Sequence, residues 1–142
     1  MPVVVGARGR RAPVLAARLA RAARRLLRGL RIPDAELSVL LVSDRVMQDL
    51  NRRHRGRDRT TDVLSFAQLE GAAPPPAGLL GDVVISVDTA RRQAAERGES
   101  LGREAERLLV HGLLHLLGYD HERSPAEERR MRRRERVLAR WL

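Results

Sequence analysis

Three of the chain's four histidines, His111, His115 and His121, fall in one stretch, LLVHGLLHLLGYDH (108–121). The apolar residues before and between them predict helix. At 3.6 residues per turn, His111 and His115 stand one above the other on one face, about 6 Å apart along the axis, so both rings can reach one cation. Gly118 ends the helix, because glycine accepts the left-handed conformation that turns a chain, and the turn lets His121 return as a third ligand. Three neutral imidazoles leave a fourth tetrahedral position open, the arrangement of catalytic rather than structural zinc. Imidazole also suits nickel and other borderline ions, so zinc is the preferred ion among several.

A lone helical histidine is ordinarily a packed or solvated side chain. Here residues 108–117 are apolar or glycine nearly all round, except for the sector holding the two histidines, which predicts a buried helix. Two imidazoles there carry a desolvation cost that a metal removes. Gly112 breaks a second local rule, since glycine inside a helix costs ~1 kcal/mol against alanine, and such breaks mark functional sites. The spacing is similar to the HExxHxxGxxH pattern of metzincin proteases, but Gly112 stands where those enzymes carry their glutamate base. The histidine geometry survives without that base.

The elements that position these residues can be read in chain order. Val3–Val5 predicts a strand, and Pro13 opens a helix with Leu15, Leu19, Ala22, Leu26 and Leu30 along one stripe. Arg18, Arg21, Arg25 and Arg28 lie off that stripe, on a face expected to be solvated. Leu37–Val42 is a buried strand, after which Ser43 or Asp44 caps a short helix through Leu50. The polar, basic run that follows, turned by Gly56, predicts a loop carrying His54, expected to be a surface residue, and Val63–Ala67 predicts a strand. GAAPPPAG (71–78) predicts a stiff surface loop. Leu80–Val87 is the next strand, and Asp88 or Thr89 caps a helix ending near Gly98. Ser100 starts the histidine helix. Ser124-Pro125-Ala126-Glu127 is a capping box opening a last helix, with Met131 and Leu138 on its apolar side. The expectation is one α+β domain over residues 1–142, with about four strands in a mixed sheet, about five helices and a zincin-like metal helix among them. The third and fourth strands form an antiparallel pair.

The chain has 142 residues, no cysteine and a formal net charge of +10. Disulfides and thiolate ligands are excluded, and a reducing compartment fits. The positive balance favours a polyanionic partner such as nucleic acid. All 28 basic residues are arginine, which with abundant alanine reads as genome composition rather than arginine-specific chemistry. No apolar run approaches the ~20 residues that span a bilayer.

HGLLHLLGYDH (111–121) resembles the signature of the YbeY family of bacterial endoribonucleases. The similarity extends to DLNRRHRGRDRTTDVLSF (49–66), LGDVVIS (80–86), and Met131 and Glu135. The resemblance implies a cytoplasmic, zinc-dependent, single-strand-specific endoribonuclease that acts in ribosomal RNA processing, small-subunit 3′ end maturation and ribosome quality control. Its partners would be ribosomal RNA, the small subunit and ribosome-associated proteins. It also implies one Zn2+ on His111, His115 and His121, and catalytic roles for Arg55, on a mobile loop, and Asp82. The family often has tyrosine where His54 stands. Two other classes fit the residues: a noncatalytic, zinc-containing assembly factor that binds RNA through its arginines, and a metalloprotease whose base lies outside the helix.

Overall fold

A computed structural model describes residues 3–67, 78–120 and 124–142. The elements are β1 (Val3–Arg8), α1 (Pro13–Gly29), β2 (Glu36–Val42), α2 (Asp44–Arg55), β3 (Val63–Ala67), β4 (Leu79–Ser86), α3 (Val87–Arg97), α4 (Leu101–Leu116) and α5 (Pro125–Ala139). Their order is the one expected. The strands form a single mixed sheet in the order β1-β2-β4-β3, in which β1, β2 and β4 run parallel and β3 pairs antiparallel with β4. The architecture is therefore α+β. The proline-rich segment 71–77 and His121, both singled out above, lie outside the described residues.

The central strands β2 and β4 are buried on both faces, which is why their sequences are nearly continuous apolar runs. Val39, Leu41, Val83 and Ile85 pack into the main core with Leu19, Leu26, Leu109 and Leu113 of the helices. On the other face, Val84 and Leu64 meet Met47 of α2 in a smaller cluster. Helix α4 is apolar nearly all round because it packs on β3 and β4 and is flanked by α1, α3 and α5. Met131 and Leu138 seat α5 in the same core. Ser124 caps α5 as its capping box predicts, accepting the Glu127 N–H at 3.1 Å.

The stripe on α1 is buried at Leu15, Leu19, Ala22 and Leu26, but Arg18 departs from expectation. Rather than facing solvent alone, its guanidinium reaches α4 and donates to both carboxylate oxygens of Glu106, at 3.0 and 3.1 Å. Such a two-point pair fixes the angle between the helices as well as their contact.

Gly112 is explained by packing. A Cβ there would lie 2.7 Å from Val83 Cγ1 and 3.0 Å from Ser65 Oγ, so only glycine lets α4 settle this closely on the sheet. Ser65 uses the approach, donating its hydroxyl to the Gly112 carbonyl at 2.8 Å. Gly112→Ala is therefore expected to gain helix propensity and still lose stability, by about 1–3 kcal/mol, because the added methyl overpacks the core. Urea unfolding checks this; a midpoint at or above wild type would contradict it.

Helix α2 runs one turn further than expected, to Arg55, and ends at Gly56 with φ 67°. His54 and Arg55 thus belong to the last turn of a helix and not to a loop. Polar residues hide this turn from periodicity, but Asn51 sits four residues after Met47 on the same face and is itself buried. Of the two caps expected for α2, Ser43 does the capping; α3 differs, since Ser86 and not Asp88 or Thr89 caps it. A serine hydroxyl does the capping in both, and Asp44 is released for another task.

Candidate active site

His111 and His115 project from the C-terminal half of α4 into a cleft of about 640 Å³ between α4, β3, the end of α2 and the segment 56–62. Their ring centroids are 4.8 Å apart with planes at 70°. The expected turn follows directly: Gly118 has φ 98°, its N–H bonds the His115 carbonyl at 3.0 Å, and the Tyr119 N–H bonds the Leu114 carbonyl at 3.0 Å. This bond pair is the Schellman termination, which reverses the chain within one residue. Tyr119 and Asp120 consequently wall the cleft, and His121 is the next residue in sequence.

Among the described residues, no group of three or more His, Cys, Asp or Glu is arranged to hold a metal ion. The described pair nevertheless suits one chemically. Two imidazole donors one helical turn apart face the same cavity, and Nδ1 of His111 lies 3.1 Å from a carboxylate oxygen of Glu135 on α5. A carboxylate on the far nitrogen of a metal-binding histidine is the usual supporting contact. Sequence reading placed Glu135 only within the family resemblance. Its spacing of four from the buried Met131 was the available signal that it turns inward.

Arg55, Arg57 and Arg59 line the same cleft, whose acidic lining residues are Asp62 and Asp120. Sequence reading expected Arg55 on a mobile loop, but the wall is closely tethered. Asn51, 3% exposed, donates its side-chain amide to the Arg59 carbonyl at 2.9 Å. Gln48 donates to Asp58 at 3.1 Å, and Gln93 of α3 donates to Asp62 at 3.3 Å. Asp44 accepts the Thr60 hydroxyl at 3.2 Å, those of Ser86 and Thr89 at 2.6 Å each, and pairs with Arg92 at 2.8 Å. None of these tethers was read from sequence.

Burial pushes the Asp44 carboxyl upward, but the hydrogen bonds from Ser86, Thr89 and Arg92, with the charge of Arg92, outweigh it and hold the group down at about 2. A depressed carboxyl stabilises the fold fully above its unfolded value, and the contribution fades as pH falls through the folded one. Wild-type stability is thus expected to drop between about pH 4 and about pH 2 more steeply than that of Asp44→Asn. Urea midpoints across that range check it; parallel pH profiles would contradict it.

Asp82 is not brought to the cleft. Side chains alternate along β4, and Val83 faces Gly112 of α4, so Asp82 shares the opposite face with Val84, which packs in the cluster under α2. Sequence alternation alone could not say which face of β4 meets the histidine helix. His54 is exposed, with its ring 4.9 Å from Phe66, a partner of that same cluster. It is a surface residue, as expected. Met131 is fully buried in the main core.

Fold and cleft together define an α+β domain in which a histidine-bearing helix packs on an antiparallel edge strand and shares a cleft with three arginines. A family model described as endoribonuclease YbeY matches residues 11–142. Relatives carrying that description include one from Anaeromyxobacter sp. (strain Fw109-5), 60% identical over 108 residues, covering 75% of this chain and 54% of the relative. Another, from Anaeromyxobacter dehalogenans, is 57% identical over 129 residues, covering 85% of this chain and 65% of its own length. A third, from Geobacter metallireducens, is 48% identical over 141 residues, 97% of this chain and 93% of the relative. The chain thus spans between about half and two thirds of the first two relatives and nearly all of the third. The solution structure of a Thermotoga maritima protein superposes with a TM-score of 0.69 at 26% identity, over 98% of this chain and 87% of that one. The chain belongs to the YbeY family.

Proposed function

We propose that the chain is a single-strand-specific endoribonuclease dependent on one Zn2+ held by His111, His115 and His121. Cytoplasmic ribosomal RNA is the proposed substrate, with roles in small-subunit 3′ end maturation and ribosome quality control alongside ribosome-associated proteins. The observation that carries this reading is the sharing of one cleft by two imidazoles a turn apart and by Arg55, Arg57 and Arg59. Family membership supports it. No described helix is long and apolar enough to cross a membrane.

When bound, the cation supplies Lewis acidity at the scissile phosphate. The chain's own residues then bind and orient. Arg55 donates to the non-bridging phosphate oxygens, where a guanidinium matches their geometry and offsets the charge that grows in the transition state. Arg57 and Arg59 hold neighbouring phosphates. Tyr119, with the Arg130 guanidinium 4.6 Å from its ring centre, lines the same cleft. With one Phe, one Tyr and one Trp in the chain, base stacking is a minor source of affinity. Asp82, off the cleft, has no part in this scheme.

Gly112 speaks against the protease class. The position that would carry a metzincin-type glutamate faces Val83 and Ser65, with no room for a carboxylate to serve the cleft. The test is a zinc-loaded preparation incubated with a structured RNA bearing single-stranded ends and, in parallel, with casein. Cleavage in the single-stranded ends with casein intact is expected. RNA binding without cleavage would overturn the enzyme reading in favour of a noncatalytic assembly factor, and casein hydrolysis in favour of a protease. Binding is also expected to weaken steeply with salt, and Arg57→Gln and Arg59→Gln should each lower the slope of log affinity against log salt by about 0.7. A slope unchanged in both variants would remove these residues from the phosphate path.

A further inference from the structure

We infer that Glu135 is a positioning residue: its carboxylate accepts the Nδ1 proton of His111 and so sets the tautomer and ring orientation that present Nε2 as the ligand nitrogen. The inference deepens the metal reading above and rests on it for its purpose, though the tautomer itself can be observed without metal.

The geometry is specific. Nδ1 of His111 and Oε1 of Glu135 are 3.1 Å apart, hydrogen-bond distance, and the two side chains are 24% and 27% exposed, so water competes only in part for the contact. Both partners sit on elements fixed by the core. Gly112 locks α4 to the sheet next to His111, while Met131 and Leu138 lock α5 on either side of Glu135. A carboxylate can only accept here, so the shared proton belongs to the ring nitrogen. A neutral imidazole that donates from Nδ1 keeps its acceptor lone pair on Nε2, and the tautomer follows from that one bond. An unconstrained neutral histidine prefers the opposite form, with its proton on Nε2. Glu135 thus reverses the intrinsic preference before any cation arrives.

A second charge supports the carboxylate. Glu135 also lines the cavity behind α4, where Arg107 lies. The Arg107 pKa is raised first by its hydrogen bond to Glu104, with burial opposing and the charge of Glu135 adding to the rise. Glu135 on α5 thus contacts His111 on α4, and His111 lines the cleft.

The test has two readouts. Two-bond proton–nitrogen correlation spectra of the metal-free protein at pH 8 report the tautomer of His111 directly. Wild type and Glu135→Gln, whose amide oxygen still accepts, should show the Nδ1–H form, and Glu135→Ala should move to Nε2–H. Zinc affinity, from competition with a chromogenic chelator, should fall about 10–100-fold in Glu135→Ala and by less in Glu135→Gln. An Nε2–H form in the wild type, or a Glu135→Ala variant with wild-type zinc affinity, would overturn the inference. A wild type that shows the Nδ1–H form yet binds no zinc would overturn the metal reading and leave the tautomer assignment standing. In the reverse case, His115→Ala abolishes zinc binding while Glu135→Ala keeps wild-type zinc affinity, and the inference alone fails.

Discussion

His115→Ala is expected to abolish stoichiometric zinc binding and to cut RNA cleavage by a factor on the order of a thousand or more, with little change in stability. In the proposed site one of three imidazole ligands would be lost, and two donors hold a borderline cation poorly against solvent and buffer. The fold should tolerate the change because His115 is only partly buried at the cleft edge, whereas the adjacent Leu113 and Leu114 are fully buried. His111→Ala would in addition remove the Nδ1 contact to Glu135. Zinc content by elemental analysis, single-turnover cleavage and a urea midpoint together check the prediction. Cleavage within tenfold of wild type would show that the imidazole is not required.

The second large effect is expected from Arg55→Ala, a fall of about 10²–10³ in kcat with zinc affinity unchanged. Arg55, on the last turn of α2, lines the same cleft as the histidines, and in the proposed scheme it acts through the phosphate alone. Arg55→Lys should recover only part of the rate, since an ammonium supplies charge without the planar two-point donor. The kinetic split carries the argument. A loss confined to KM would make Arg55 a ground-state binding residue, and a loss of zinc would mean that it acts through the metal ligands.

Residues whose role is set by local spacing could be read directly from the chain. The histidine helix, its end at Gly118, the order of nine elements and the antiparallel pairing of β3 with β4 follow from apolar periods and turn residues, and the structure has all of them. Residues whose role depends on a distant partner could not. Arg18 looks like a solvated arginine until α4 presents Glu106, and Asp44 looks like a cap until Thr60, Ser86 and Thr89 converge on it. Gly112 reads as a functional anomaly, while its cause is Val83 one strand away. Asn51 is the instructive case, because its place on the Met47 face of α2 was visible and would have extended the helix to Arg55. Asp82 carried a motif but no information about which face of β4 meets the histidines.

The central claim is that the imidazoles of this helix and turn gather around one cation in the cleft that Arg55 also lines. Its most direct test is an anomalous difference map at the zinc edge from crystals grown with the metal. The account predicts a single strong peak about 2.0–2.1 Å from ring nitrogens of His111, His115 and His121, inside the cleft lined by Arg55. A map with no peak between His111 and His115, or with the ion bound elsewhere on the chain, would contradict it.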